Sequence, residues 1–523
     1  MLFSWNFYIT LYYKMTDSIS GQDLGGRERV GISSSLIYNQ RPAAVLARKI
    51  QYVGQANNQT YAPGGLIRME IPTSPGTFLQ CGTTTLKFDF NISTTAAAAA
   101  APTAGAPWLG SCCFDSTAAS LIRRIRVYSG SSLIEDIGEY SKIYELMKDA
   151  TASSAEDETT GSIEGYPNVE LAQADTLPNV LLACQNVRRQ NTSRDYLQRT
   201  VGNNAAVDDV AYQFEIPLMS GTIGTMCPKW FPLGAAGAAP LRVEVELNSN
   251  NSGVIQTTLS ASAGGAGGSP ITWDVRNVEI HCDIVQLDNN AMRLVDESVN
   301  GQYVVNTSSF RHSVANIAAG VNSSNTILPF RFSSCKAFLS RLYSQASQIT
   351  LASNSQTGAN RAGCSEYFHQ IGSSHVPANN VRLGASAQTG VTGVAGLLST
   401  HRQWKQGAVE GVTELMKAVH GKNILQVSNK INSTNWNRTD TPIIGGALGT
   451  TDAVNRGTFT FAVDLESQGK ASELIENGTS SVSLLCMLST THDVVTPSAQ
   501  VLHSWCMHDL RLEYVGGVCI ARF

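Results

Sequence analysis

A chain of 523 residues with a hydrophobic fraction of 42% is globular and longer than one core usually spans, so general disorder is excluded and two domains are expected. A net charge of −4 argues against a dedicated nucleic-acid binder, which needs a basic surface to neutralise phosphates. Charged residues make up only 15%, against an average of about 25%, which fits surfaces covered by partners better than a free-floating enzyme.

Residues 1–13 are aromatic and apolar but too short to cross a bilayer, with no basic n-region and no cleavage site. They read as an over-extended start with Met15 as the initiator; a tip that touches a membrane is the alternative. Residues 16–64 are polar, with Arg27, Arg29, Arg41, Arg48 and Lys49 interspersed. Residues 1–64 therefore read as an arm that docks on a neighbour or lies under an assembly, although such charges also mark a solvated face.

Strand patterns begin at Leu66-Ile67-Arg68-Met69-Glu70-Ile71, continue through residues 86–92 and recur at residues 121–128, with a turn at Ser129-Gly130-Ser131. The alanine run at residues 96–101, closed by Pro102, reads as a loop between strands. Next comes a short amphipathic helix pattern. Tyr140, Ile143, Tyr144 and Met147 recur at i, i+3, i+4 and i+7, so they share one helix face. Residues 150–207 form a polar, irregular segment long enough to suggest a partner-binding loop. Residues 234–239 and 261–268 are further small-residue loops, and residues 287–302 read as the linker between two halves.

The second half has strand patterns at residues 327–332, 337–342 and 367–372, a helix near residues 411–420, and a terminal pair of strands about Gly516-Gly517. Glu-Leu-Met-Lys of the first helix, Glu145 to Lys148, recurs in the second as Glu414 to Lys417. Three alternating apolar segments follow each copy: residues 212–218, 241–247 and 278–284, then residues 458–465, 482–488 and 505–512. The chain reads as two copies of one all-β sandwich unit.

No catalytic signature stands out: there is no G-x-S-x-G elbow, Walker loop or H-E-x-x-H. His369 and His375 lack a nearby third ligand and read as structural. Asp464 and Glu466 would share one strand face, which reads as solvated rather than as a carboxylate pair. The loop Gly234-Ala235-Ala236-Gly237 has no lysine and no strand-to-helix context, so it is no phosphate cradle. Catalytic, cofactor and metal residues are accordingly expected to be none, and no cofactor is expected. The eleven cysteines are scattered and odd in number, with no Cys-x-x-Cys pair, as for reduced, buried thiols in a cytosolic or nuclear setting. The seven tryptophans, Trp5, Trp108, Trp230, Trp273, Trp404, Trp436 and Trp505, form no obvious platform for a sugar.

Several pieces, in this order, resemble one family. They are Ile134-Glu135-Asp136-Ile137 leading into Tyr140, then Phe214-Glu215-Ile216-Pro217-Leu218, then Pro240-Leu241-Arg242-Val243-Glu244-Val245-Glu246-Leu247-Asn248. In the second half they are Tyr367-Phe368-His369-Gln370-Ile371-Gly372-Ser373 with Pro377, and Phe461-Ala462-Val463-Asp464-Leu465-Glu466 with Asn477-Gly478. The chain resembles the double jelly-roll major capsid proteins of tailless icosahedral DNA viruses, in the virophage and polinton-like branch. That resemblance implies an all-β fold of two tandem eight-stranded jelly rolls, residues 65–290 and 291–523, after an arm at 1–64. It also implies a non-enzymatic role as a homotrimeric, pseudo-hexameric capsomer in a virion shell, assembled in the host cytoplasm or nucleus. Expected partners are neighbouring capsomers, penton and minor capsid proteins. Parts of residues 150–207, 253–268 and 384–403 would form an outer tower, and the N-terminal arm would face a membrane or the genome. The alternatives are a carbohydrate-binding or carbohydrate-active β-sandwich and a secreted adhesin.

Overall fold

A computed structural model describes residues 47–94, 111–114, 117–153, 163–165, 197–198, 211–234, 239–248, 255–257, 271–300, 302–345, 356, 358–383, 409–420, 429–431, 436, 457–467, 477–492, 498–515 and 518–523. The apolar start, the alanine run, residues 384–403 and most of residues 150–207 and 253–268 lie outside the described residues.

The first half contributes β1 (Ala47–Gln55), β2 (Thr60–Tyr61), β3 (Leu66–Ile71), β4 (Thr77–Thr94), β5 (Ser111–Phe114), β6 (Ile122–Ser129) and β7 (Ser132–Gly138). Helix α1 (Tyr140–Thr151) follows, then β8 (Leu197–Gln198), β9 (Ala211–Pro217), β10 (Phe231–Pro232), β11 (Leu241–Leu247), β12 (Ile255–Thr257) and β13 (Ile271–Leu287). Helix α2 (Asn289–Val299) leads into β14 (Tyr303–Ile317), β15 (Ser323–Leu328), β16 (Cys335–Ser344), β17 (Cys364–Ile371) and β18 (Ser374–Arg382). Helix α3 (Val409–His420), β19 (Phe461–Asp464), β20 (Cys486–His492), β21 (Gln500–Val515) and β22 (Val518–Arg522) complete the chain.

Sheet topology repeats. In the first half one sheet runs β1-β13-β4 with β9 and β10 along the far side of β4, and the facing sheet runs β3-β11-β6-β7. In the second half the orders are β14-β21-β16-β19 and β15-β20-β17-β18. Setting aside the short strands, both halves read first-eighth-third-sixth over second-seventh-fourth-fifth. This is the strand order of a jelly roll, so the fold is all-β, two jelly rolls in tandem. The amphipathic helix lies between the fifth and sixth strands of each roll, as the repeated Glu-Leu-Met-Lys suggested.

Alternation builds each sandwich. Along β3, Ile67, Met69 and Ile71 are buried while Arg68 and Glu70 are exposed. On the outer side of that sheet the charges pair across strands: Arg68 and Arg126 both reach Glu244, at 3.3 and 3.4 Å. Inside, Phe90 packs on Phe114 and Trp273, and Tyr367 packs edge-on against Phe461.

Several expectations shift. The segment read as arm overlaps the first sheet: β1 pairs with β13 over its whole length, from Ala47↔Leu287 to Gln55↔Glu279. The segment read as linker holds helix α2, capped by the Asp288 carboxylate, which accepts from the Asn289 N–H. Its Met292, Val295 and Val299 lean on the core at i, i+3 and i+7, a helical signal inside a polar stretch. Strand β20 begins at Cys486, not at residue 482, because residues 481–485 turn and leave Val482, Leu484 and Leu485 exposed. Glu466 lies beyond the end of β19 and does not share a strand face with Asp464.

Candidate functional site at the seam between the two rolls

The described residues of highest chemical interest lie where β7 and α1 of the first roll pack on the outer face of β14-β21-β16 of the second.

Glu135 is the centre of the seam. It belongs to the edge strand β7 and is 1% exposed. Its carboxylate accepts from the Ser220 hydroxyl, from the backbone N–H groups of Gly221 (2.8 Å) and Thr222 (3.2 Å), and from the Thr222 hydroxyl (2.6 Å). The Ser309 hydroxyl of β14 donates to it from the second roll at 2.6 Å. A buried carboxylate is tolerable only when its lone pairs are filled in this way. Gly221 makes the approach possible, since a Cβ there would lie 2.2 Å from the Ser308 carbonyl oxygen.

Next along β7, Asp136 binds Arg124 of its own sheet through two bonds of 2.6 and 2.7 Å, and Arg311 of β14 at 2.6 Å. Burial pushes the Asp136 carboxyl up, but the Arg124 and Arg311 guanidinium groups outweigh it and hold the carboxyl below its usual range. At the end of β7, the Gly138 carbonyl accepts from Trp505 Nε1 of β21 at 3.2 Å.

Helix α1 closes the seam. Tyr140, Ile143 and Tyr144 are buried as their spacing predicts, but so are Lys142, Glu145 and Asp149 on the polar side. The second roll covers that side. Arg341, 0% exposed on β16, donates to Asp149 at 2.8 Å and to the Thr460 hydroxyl at 3.0 Å. Burial pushes the Asp149 carboxyl up against the pull of Arg341. Lys142 pairs with Glu139 and stands over the Tyr343 ring at 5.7 Å. His420 Nε2 of α3 lies 2.7 Å from the Ala150 carbonyl oxygen, so the two repeated helices meet at their C-terminal ends. Beside Trp505, His312 Nε2 lies 3.0 Å from His503 Nδ1 and the two rings stack at 5.3 Å.

The residues singled out from sequence are not brought together. His369 is fully buried in β17 between the Phe338 and Tyr367 rings, and burial lowers it to about 3, whereas His375 is exposed on β18 and stacks on Phe368. Among the described residues no group of three or more His, Cys, Asp or Glu could hold a metal ion, and no helix is long and apolar enough to cross a membrane. Of the tryptophans, Trp273, Trp436 and Trp505 are core residues and Trp230 is half exposed; Trp5, Trp108 and Trp404 lie outside the described residues. Eight cysteines are buried and unbridged: Cys81, Cys227, Cys282, Cys335, Cys364, Cys486, Cys506 and Cys519.

Sequence reasoning missed the seam residues Glu135, Asp149, Arg341 and Ser309. The one signal that could have found them is Arg341 inside Ala337-Phe338-Leu339-Ser340-Arg341-Leu342-Tyr343, a charge in an otherwise apolar run. Such a strand is buried on both faces.

No family model matches the chain and no curated protein matches it in sequence. Solved structures match its fold over nearly its full length, three of them as follows. A chain of the Sputnik virophage, solved by cryo-EM, aligns with a TM-score of 0.55 and 10% identity over 97% of this chain and 95% of that one. A chain of the PBCV-1 virus capsid aligns with 0.52 and 9% over 93% and 99%. The Faustovirus major capsid protein aligns with 0.51 and 7% over 91% and 92%.

Proposed function

We propose that this chain is a structural major capsid protein whose copies join as homotrimers of pseudo-hexameric outline. These would tile an icosahedral shell beside penton and minor capsid proteins. One observation carries the reading: the two rolls are used unequally. Strand β16 of the second roll is buried at every position but Lys336, because the first roll covers its outer face. The equivalent strand of the first roll, β4, alternates from Thr83 to Phe90, and its outer residues Lys87 and Asp89 stay half-exposed. The same outer face carries Lys49 and the exposed Val53 of β1 and Asp274, Arg276, Glu279 and Asp283 of β13.

Repeating the seam once more would place the second roll of another copy, with β18 and α3, over this open face. The exposed residues Ala378 and Asn379 of β18 are the counterparts of the β7 edge already in use. A repeated heterologous contact closes into a ring when the rotation allows it. The three solved structures are named for a virophage, a virus capsid and a major capsid protein, which supports the same role.

On this reading the jelly-roll units are residues 65–290 and 291–523, with β1 drawn from the end of the 1–64 arm into the first sheet. The chain acts in the virion, without catalysis, and is assembled in the host cytoplasm or nucleus. The arm lies toward the shell interior, against a membrane or genome.

The test is light scattering with size exclusion on the purified chain, followed by negative-stain imaging. A stable trimer with a hexagonal outline, or shells, is expected. Val53→Asp and Ala378→Asp, on the two open strands, should each leave a folded monomer and abolish the trimer. A wild-type chain that stays monomeric at all concentrations would sink the reading.

A further inference from the structure

Among the described residues His369, His492, His503 and His508 are buried, and His503 touches the half-buried His312 at the seam. His312 is on β14 and His503 on β21. The register sets His312 opposite Trp505 and Val314 opposite His503, so the two imidazoles are diagonal neighbours on the face turned toward the first roll. Their contact, His312 Nε2 to His503 Nδ1 at 3.0 Å, can hold one proton and no more. In the neutral pair one ring donates an N–H and the other accepts. With both rings charged, two N–H groups face each other and the contact is lost.

Every packed element contributes to the setting. From the first roll, Gly138 abuts the His312 ring, where a Cβ would stand 3.2 Å from His312 Cβ. Glu139 and Lys142 of the α1 entry face both rings, and Asp136 of β7 faces His312. From the second roll, Arg311 adjoins His312, while Tyr343 of β16 packs edge-on against His503 at 5.6 Å. The carboxylates here are already engaged: Glu139 with Lys142 and with Arg123 at 3.9 Å, and Asp136 with Arg124 and Arg311. Two added imidazolium charges would meet Lys142 and Arg311 with no unpaired carboxylate to offset them.

We propose that the His312–His503 pair is an acid-sensitive latch on the seam: uncharged it keeps the first roll seated on the second, and doubly protonated it unseats β7 and α1. The latch stands on the seam alone and does not depend on the assembly reading.

Burial lowers His312 to about 4 and His503 well below its ordinary value, with Lys142 adding to the effect at both and Glu139 opposing it. An opened seam returns both rings to water and binds the proton more tightly. Closure is therefore at full strength above about pH 6.5 and weakens as the pH falls toward 4. Each proton taken up on opening shifts the opening equilibrium about tenfold per pH unit inside that window.

The experiment is hydrogen–deuterium exchange on the full chain between pH 7.5 and 4, corrected for intrinsic exchange, with tryptophan fluorescence in parallel. Peptides from β7 and β14 should lose protection at higher pH than peptides from the sandwich strands β6 and β17. The double variant His312→Gln/His503→Gln should keep seam protection at least one pH unit further into acid. A His508→Gln variant, which changes a buried histidine away from the pair, should leave the order of opening unchanged. Seam and core peptides that lose protection together in the wild type would overturn the latch, as would a double variant with the wild-type profile. If the double variant fails to fold, the single His312→Gln variant and the wild-type order of opening decide the matter alone.

Discussion

At the scale of residues, the chain's polar side chains are most consequential where its apolar pattern hides them. Glu135 gathers donors from two segments, so Glu135→Ala leaves the Ser220, Thr222 and Ser309 hydroxyls and two backbone N–H groups without their acceptor. The expected loss is about 3–5 kcal/mol in urea unfolding, the range for breaking a buried charged network. Asp149→Ala should cost a similar amount because it strands Arg341, whereas Asp149→Leu with Arg341→Met should cost far less than the two single changes summed. A double-mutant cycle measures the difference. Gly221→Ala tests the close approach itself: the added methyl must push Ser308 away, loosening β14 without altering either sandwich interior. None of these residues was legible in the sequence. Glu135 sits beside Asp136 in a short strand, and only partners distant in sequence, Ser220 to Thr222 and Ser309 for the one and Arg311 for the other, distinguish the two carboxylates. Arg341 carries the one usable signal, a charge inside an apolar strand.

At the scale of elements, local periodicity was a good guide wherever one face meets a core and the other meets water. Strands β3, β6 and β11 and both repeated helices fall within a residue or two of where alternation and the i, i+3, i+4, i+7 pattern place them. Periodicity fails where a second layer covers the outer face. Strand β14 carries Thr307, Ser308, Ser309 and Ser313 and gave no strand signal, yet it pairs along its full length with β21, from Tyr303↔Tyr514 to Ile317↔Gln500. Helix α1 shows an amphipathic pattern and is nonetheless buried nearly all round. The contrast between β16 and β4 gives a quantitative expectation. Leu339→Ala, in a strand packed on both faces, should cost about 2–5 kcal/mol. Lys87→Ala, on the half-exposed outer face of β4, should stay within about 0.5 kcal/mol in the monomer. Equal costs at the two sites would mean that the two rolls are not unequally covered.

At the scale of the whole molecule, two jelly rolls with the same strand order share a single asymmetric seam. The asymmetry is what the assembly reading depends on, because one covered face and one open face are what a repeating ring requires. The histidines held inside the fold give the molecule an acid limit. Burial lowers His369 to about 3, His312 and His508 to about 4, and His503 well below its ordinary value. All four are held neutral in the fold and gain protons on unfolding, so stability is fully present above about pH 6.5 and declines as the pH falls from there toward the lowered values. Urea midpoints measured at pH 7.5, 6 and 5 should fall in that order. His369→Leu should flatten the profile by removing one of these protons, whereas a midpoint independent of pH across this range would contradict the neutral burial of the histidines.

The polar character of the seam has a consequence in time. Strand β14 cannot take its place until β21 has been made, since the two pair along their length and nearly the whole second half separates them in sequence. While the ribosome is still extending the second half, the first roll must wait with β7 and α1 uncovered. An apolar waiting face would invite capture by other nascent chains. A face bearing Glu135, Asp136, Lys142 and Asp149 stays wetted until its own second half arrives, and only then gives up its water.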